Sequence, residues 1–441
     1  MKTIFSIYTL AVIFFFCGFI LLRFSVKNFL LDRGVENKFT DIIIFDKENF
    51  GEENEQDAIF INAVKKKLQI TAGEQIFQTK SLYDDDSKIE NRLEKFYAKI
   101  KGKIESYTKN LFPFRKLIVQ VAFFVDFYFG NKILPNNVID LGDGYLTEPT
   151  TKGHLTNIDA FVQKMSHLKH ILDSIGIPLI YAQYPYVICS EDNISKTGKD
   201  QNMQAKDELV KKLKNIDIIV IDLHKEIHQR ANDYSKEFHH SLFYKTDHHW
   251  TAKTAILAGQ IISEKLNYFF DFGLKTELLD TANFTEIFAK KWLGSMGGKV
   301  IPLYPKEDFY IYTPKYATDI NWLLLYWLWG YDNKLFESNG NFDSIYNFLP
   351  EPIDNLEVHA LAYPRFSFSR NGNLPDGKKI LIIGDSFNNS LSKFLALIFK
   401  EVNFIYRRSS LLDDYLVNKP DVVIIGFDRA AIMEPLNTLL F

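Results

Sequence analysis

At 441 residues, 46% hydrophobic and 15% aromatic, the chain has length for two or three average domains and apolar mass for a large core. Its formal net charge of -3 lacks the basic excess of a nucleic-acid binder, so nucleic acid is set aside as a partner. The two cysteines, Cys17 inside an apolar run and Cys189, leave no disulfide to staple the body.

The first element is the uncharged run IFSIYTLAVIFFFCGFILL, from Ile4 to Leu22. At about 1.5 Å per residue it matches a bilayer core of about 30 Å, and no small-residue cleavage site follows it. Residues 1–24 therefore read as an uncleaved transmembrane signal anchor. Arg23, Lys27 and Arg33 follow the span and only Lys2 precedes it, so charge balance alone points the body to the cytoplasm.

Residues 25–130 read as a mainly helical juxtamembrane region. Within it 35–87 is polar, and YDDDSK at 83–88 is a solvated loop. Residues 88–111 carry apolar side chains at helical spacing. The segment FPFRKLIVQVAFFVDFYFG, 112–130, is a more apolar helix opened near Pro113 and closed at Gly130, suited either to a core or to a membrane surface.

From residue 138 short apolar strands alternate with amphipathic helices. NVIDLGDGYLTE is a short strand and a Gly turn; NIDAFVQKMSHLKHILDSIG is a helix, IPLIYAQYP a strand, AKDELVKKLKN a helix and IDIIVIDL a strand. Later come KKILIIGDS, the helix LSKFLALIFKEV and the strand PDVVIIGF. This alternation predicts an α/β domain over 131–441 with a mostly parallel sheet covered on both faces. An aromatic-rich insertion is expected around 301–370, containing NWLLLYWLWGYDN at 321–333.

In such sheets ligands bind beyond the carboxyl ends of the strands. GDSFNNS, Gly384 to Ser390, lies at one such end. Gly384 permits a tight turn, and Ser386 at the start of a helix can act as a nucleophile beside backbone N–H groups, or else Asp385 or Ser386 simply caps the helix. The second cluster, TDHHWT, places Asp247, His248, His249 and Trp250 in succession. Asp247 and His249 can share one face of an extended segment or meet across a turn, and with Ser386 they make a candidate Ser–His–Asp triad. A metal site among His224, His228, His239, His240, His248 and His249 is the rival, but HKEIH is not H-E-x-x-H and no second carboxylate-rich motif sits at a strand end. No metal or cofactor is expected. A non-catalytic carbohydrate-binding or assembly protein also remains open, the aromatic stretch being its support.

TDHHWT followed by GDSF resembles the alginate O-acetyltransferase branch of the SGNH hydrolase superfamily, which includes the DHHW proteins. FPFR (112–115), VIDLGDGYL (138–146), WLGSMGGKV (292–300) and PDVVIIGF (420–427) agree in order. The resemblance implies a three-layer SGNH-like sandwich and an acetyl transfer to hydroxyls of a cell-surface or exported polysaccharide, with esterase activity as the alternative. It implies Ser386, His249 and Asp247 as catalytic, and Gly384, Asp385, Arg407, Trp250 and Tyr406 as oxyanion or substrate-binding residues, Arg408 being adjacent to Arg407. It also implies a membrane-bound O-acyltransferase as acetyl-donor partner and a single-pass protein with its body outside the cytoplasm, against the charge balance of the anchor. The SGNH oxyanion asparagine has no counterpart here; Asn388 and Asn389 lie near Ser386 but at other positions.

Overall fold

The computed structural model describes residues 134, 138–149, 158–192, 202–300, 304–326, 334–346, 364–406 and 419–428. The expected span at 4–22, the helices expected over 88–111 and 112–130, and Arg407 lie outside the described residues. Among the described residues no helix is long and apolar enough to cross a membrane.

A small ribbon comes first, β1 (Ile139–Asp140) running antiparallel to β2 (Leu146–Thr147). Its turn uses Gly142 and Gly144 at φ 97° and 85°, a region open to glycine because it lacks a Cβ. The α/β alternation follows: α1 (Ile158–Ser174), β3 (Leu179–Gln183), α2 (Asn202–Lys214) and β4 (Ile219–Asp222). Next are α3 (Leu223–Ala231), α4 (Lys236–Ser241) and α5 (Ala252–Phe270). An antiparallel ribbon is formed by β5 (Phe284–Trp292) and β6 (Glu307–Pro314), with the short α6 (Ser295–Lys299) between them. The chain continues through β7 (Ile320–Tyr326), β8 (Lys334–Ser338), β9 (Pro364–Asn371) and β10 (Lys379–Gly384). It ends, among the described elements, with α7 (Phe387–Leu395), β11 (Glu401–Tyr406) and β12 (Val422–Phe427).

Eight strands form one sheet in the order β4-β3-β12-β10-β11-β9-β7-β8. From β4 to β11 all neighbours are parallel, whereas β9, β7 and β8 join antiparallel. The sheet is thus mixed, which corrects the expectation of a mostly parallel one. Strand content was readable from the apolar runs, but direction is set by the connections. Only residues 327–333 separate β7 from β8, fewer than the dozen or so that a parallel crossover needs, so these neighbours must run antiparallel.

The parallel half shows why its strands are apolar throughout. Ile180, Ala182, Ile380, Ile382, Val422 and Ile424 face one core, shared with Ala255, Ile262, Phe387 and Leu391 of α5 and α7. Their neighbours in sequence, Leu179, Tyr181, Leu381, Ile383, Val423 and Ile425, face the other, under Phe161, Met165, Leu168 and Leu172 of α1 and Leu209 and Leu213 of α2. Side chains alternate along a strand, so a strand covered on both faces must be apolar at every position. The helices bury stripes at three- and four-residue spacing, giving three layers.

Candidate active site

The site lies where β10 ends. Gly384 is its last residue and pairs with Gly426 of β12. A Cβ at Gly384 would strike the Gly426 carbonyl and the Asn388 side chain, so the close strand–helix packing requires glycine here. Asn388 donates to the Gly426 carbonyl at 2.9 Å and accepts from the Tyr184 hydroxyl, tying α7 to β12 and to the end of β3.

The hydrogen bonds at the start of α7 show which residue caps it. Ser386 occupies the N-cap position of α7, yet its side chain makes no capping bond. Asp385 takes that role: Oδ1 accepts the Phe387 N–H at 3.0 Å and Oδ2 accepts the Asp428 N–H at 2.8 Å. The Ser386 hydroxyl instead lies 2.6 Å from His249 Nε2. Among Asp247, His249, Asp385 and Ser386, only Ser386 is more than marginally exposed.

Asp247 and His249 meet across a turn, the second of the two geometries their spacing allows. Phe243 bridges Trp250, Tyr244 N–H donates to the His249 carbonyl at 3.0 Å, and Thr251 N–H donates to the Leu242 carbonyl at 2.9 Å. The acid and imidazoles therefore sit at the tip of a closed loop. Asp247 Oδ1 accepts the His249 backbone N–H at 3.0 Å and pairs with the ring Nδ1. A carboxylate can only accept, so Nδ1 carries the proton and Nε2 faces Ser386 with a bare lone pair. Asp247 Oδ2 accepts the Ser295 N–H at 2.8 Å. Thr251, not Asp247, caps α5, accepting the Thr254 N–H at 3.2 Å.

The loop is braced by Glu307, which had no signal of its own in the sequence, and by glycines of WLGSMGGKV. Glu307 accepts from Thr246 N–H and Oγ1–H at 2.7 and 2.5 Å and from Lys245 N–H at 2.8 Å. Burial raises the Glu307 carboxyl above its ordinary range, and these donors pull it part of the way back. Gly294 N–H donates to Thr246 Oγ1 and Gly297 N–H to the Thr246 carbonyl, at 2.8 and 2.9 Å. The segment WLGSMGGKV is thus the seat of the acid, and its glycines were the available clue.

The remaining expected site residues are placed as follows. Trp250 is buried, packs on Tyr184 and Phe387, and donates its indole N–H to the Phe387 carbonyl at 3.2 Å, so it holds the acid–histidine loop onto α7. Tyr406 is half-buried at the end of β11, paired in register with Gly384. His248 is half-buried with its ring against that of His249, centroids 3.9 Å apart.

No protein-family model matches the sequence, and no curated protein does. Solved structures do. PatB1 of Bacillus cereus aligns over 69% of this chain and 99% of its own, at 20% identity and TM-score 0.53. Its form with a sulfonyl adduct aligns over 67% and 96%, at 17% identity and TM-score 0.50. A DHHW family protein from Eubacterium siraeum aligns over 69% and 95%, at 16% identity and TM-score 0.50. The chain therefore has the fold shared by PatB1 and this DHHW family protein, the grouping that its own TDHHWT and GDSF motifs resemble.

Proposed function

We propose that this chain is an O-acetyltransferase that moves an acetyl group through Ser386 to hydroxyls of a cell-surface or exported polysaccharide. The observation that carries the proposal is the hydrogen-bonded series Asp247–His249–Ser386, with the Ser386 hydroxyl free of any capping role. In the proposed reaction Ser386 Oγ attacks an acetyl carbonyl as His249 Nε2 takes its proton. Asp247 holds the tautomer and stabilises the imidazolium that forms. The tetrahedral intermediate collapses to acetyl-serine, and His249 returns the proton to the leaving group. A sugar hydroxyl, deprotonated by the same nitrogen, then attacks the acetyl-serine and takes the acetyl group as the bond to Ser386 Oγ breaks and His249 returns the proton to Oγ; water in its place gives an esterase.

The Ser386 backbone N–H, just ahead of α7, is the natural oxyanion donor, since the N–H groups of Phe387, Asn388 and Asn389 are already bonded to Asp385 and Ser386, and Arg407 and Tyr406 are the natural contacts to acetyl or sugar oxygens. The apolar run at 4–22 would anchor the body outside the cytoplasmic membrane, beside a membrane-bound O-acyltransferase supplying acetyl groups. PatB1 carries a sulfonyl adduct in one solved form, and a sulfonyl fluoride is the matching covalent probe for Ser386 here. The test is to supply the purified chain with an activated acetyl ester and neutral or acidic oligosaccharides. Acetylated sugar formed in preference to free acetate supports the transferase; acetate alone, whatever acceptor is present, supports the esterase. No acetyl release at all, with Ser386 intact, contradicts both.

A further inference from the structure

Three histidines outside the Asp247–His249–Ser386 series gather on α3 and α4. His224 and His228 lie one helical turn apart, and His239 faces them from α4, ring centroids 4.7 to 5.3 Å apart. One nitrogen from each lies within 4.8 Å of the others. His228 and His239 are 2% and 1% exposed.

The hydrogen bonds on the far side of two of these rings fix their protons. His228 Nδ1 lies 2.6 Å from the Asp233 carbonyl, and His239 Nε2 lies 2.9 Å from the Tyr186 carbonyl. A carbonyl only accepts, so both nitrogens are N–H donors. In neutral rings the opposite nitrogens, His228 Nε2 and His239 Nδ1, are then bare. Those two atoms face each other at 3.0 Å. Two lone pairs at hydrogen-bond distance repel unless a cation sits between them, either an extra proton or a metal ion. A third ring, His224, brings another nitrogen within 4.8 Å of these two, which a shared proton has no use for and a metal ion would take as a ligand.

We propose that His224 Nε2 or Nδ1, His228 Nε2 and His239 Nδ1 form a structural zinc site. Two nitrogens on one tetrahedral zinc, each about 2.05 Å from it, are about 3.3 Å apart, a few tenths of an ångström wider than the gap present. The N–H bonds to the Asp233 and Tyr186 carbonyls supply the outer hydrogen bonds that orient ligating imidazoles. Neutral imidazoles suit zinc, and half-buried His224 leaves a side from which an ion and a completing water can enter. Lys206, whose charge is felt at His224, is itself paired with Asp222 at 3.1 Å. The ion would pin α3, α4 and the segment after β3, and α4 leads directly into the loop that carries Asp247 and His249. It takes no part in the proposed chemistry, and it departs from the expectation of a metal-free chain.

The experiment is equilibrium dialysis of the purified full chain against zinc chloride, with metal analysis, and a parallel cobalt(II) titration read by visible absorption. Expected are about one zinc per chain, a rise in Tm, and tetrahedral cobalt bands without a thiolate charge-transfer band from Cys189. His224→Ala, at a half-buried position, should weaken zinc affinity on the order of 100-fold or more with unchanged circular dichroism. His224→Gln repeats the test if the alanine variant is unstable, and His248→Ala should keep the ion. Absence of stoichiometric zinc, zinc retained undiminished by folded His224 variants, zinc lost on His248→Ala, or a cobalt–thiolate band would each overturn the site.

Discussion

Replacing Asp247 with asparagine changes one atom in a site where every acceptor is taken. Oδ1 receives two donors from His249 and Oδ2 receives the Ser295 N–H at 2.8 Å. If the amide oxygen stays on His249, its NH2 confronts the Ser295 N–H and that donor loses its partner, at a cost of about 1–3 kcal/mol. If the amide turns over, NH2 faces His249, whose Nδ1 must give up its proton to accept. The proton then moves to Nε2, and the imidazole can no longer receive one from Ser386. The first outcome loses the anchor of the side chain and the negative charge that stabilises the imidazolium, and the second disables the base, so kcat/KM for p-nitrophenyl acetate should fall by about 10³–10⁴, or roughly 4–5.5 kcal/mol of transition-state stabilisation. The assay is steady-state hydrolysis at neutral pH, with Tm recorded to show that the fold survives. A folded Asp247→Asn enzyme within tenfold of wild type would refute the role given to the carboxylate.

Gly294→Ala would put a Cβ about 2.5 Å from Asp247 Cβ, displacing the acid loop; Tm and kcat/KM should fall together, the latter on the order of 100-fold, and an unaffected enzyme would show that the loop does not need this seat. Burial alone would raise the Asp192 carboxyl, but hydrogen bonds from His240, Lys236 and the Cys189 N–H outweigh it and hold it well below its usual range. With the folded value depressed, its stabilisation is complete above the unfolded value of about 3.9 and is lost as pH falls below it. Tm should therefore drop more steeply between about pH 4 and pH 2 in wild type than in Asp192→Asn, and parallel curves would remove that contribution. Deleting residues 1–24 and restoring export with a cleavable signal should leave ester hydrolysis intact while sharply reducing polymer acetylation in cells; undiminished polymer acetylation would count against a tethered acetyl donor.

The strands and helices of the parallel half were legible because burial on both faces demands unbroken apolar runs, as in KILII and VVIIGF. Strand direction across β7, β8 and β9 was not, since side-chain preference is the same for either direction and the short 327–333 link fixes the β7–β8 pair alone. At the site, GDSF could not say whether Ser386 or Asp385 caps α7; that depends on the Asp385 bonds to Phe387 and Asp428 and on an imidazole 137 positions away. The pairing of His249 with Ser386 was suggested by the two polar clusters taken together and then by family resemblance, but spacing alone could not show the contact. Glu307 carried no local sign, and Gly294 was visible only as a glycine of WLGSMGGKV, because their roles exist only once β6 and α6 pack against Thr246. The histidines on α3 were visible as an i, i+4 pair, but the proton assignments that make them a ligand set need the carbonyls of Asp233 and Tyr186.

The central claim, that Ser386 accepts the acetyl group, is tested most directly by rapid acid quench of the chain with an activated acetyl ester, followed by peptide mass mapping. The account predicts one acetyl group on the peptide containing Ser386, absent in Ser386→Ala and blocked by prior sulfonyl fluoride treatment. An acetyl group on another side chain, or undiminished acetylation of Ser386→Ala, would contradict it.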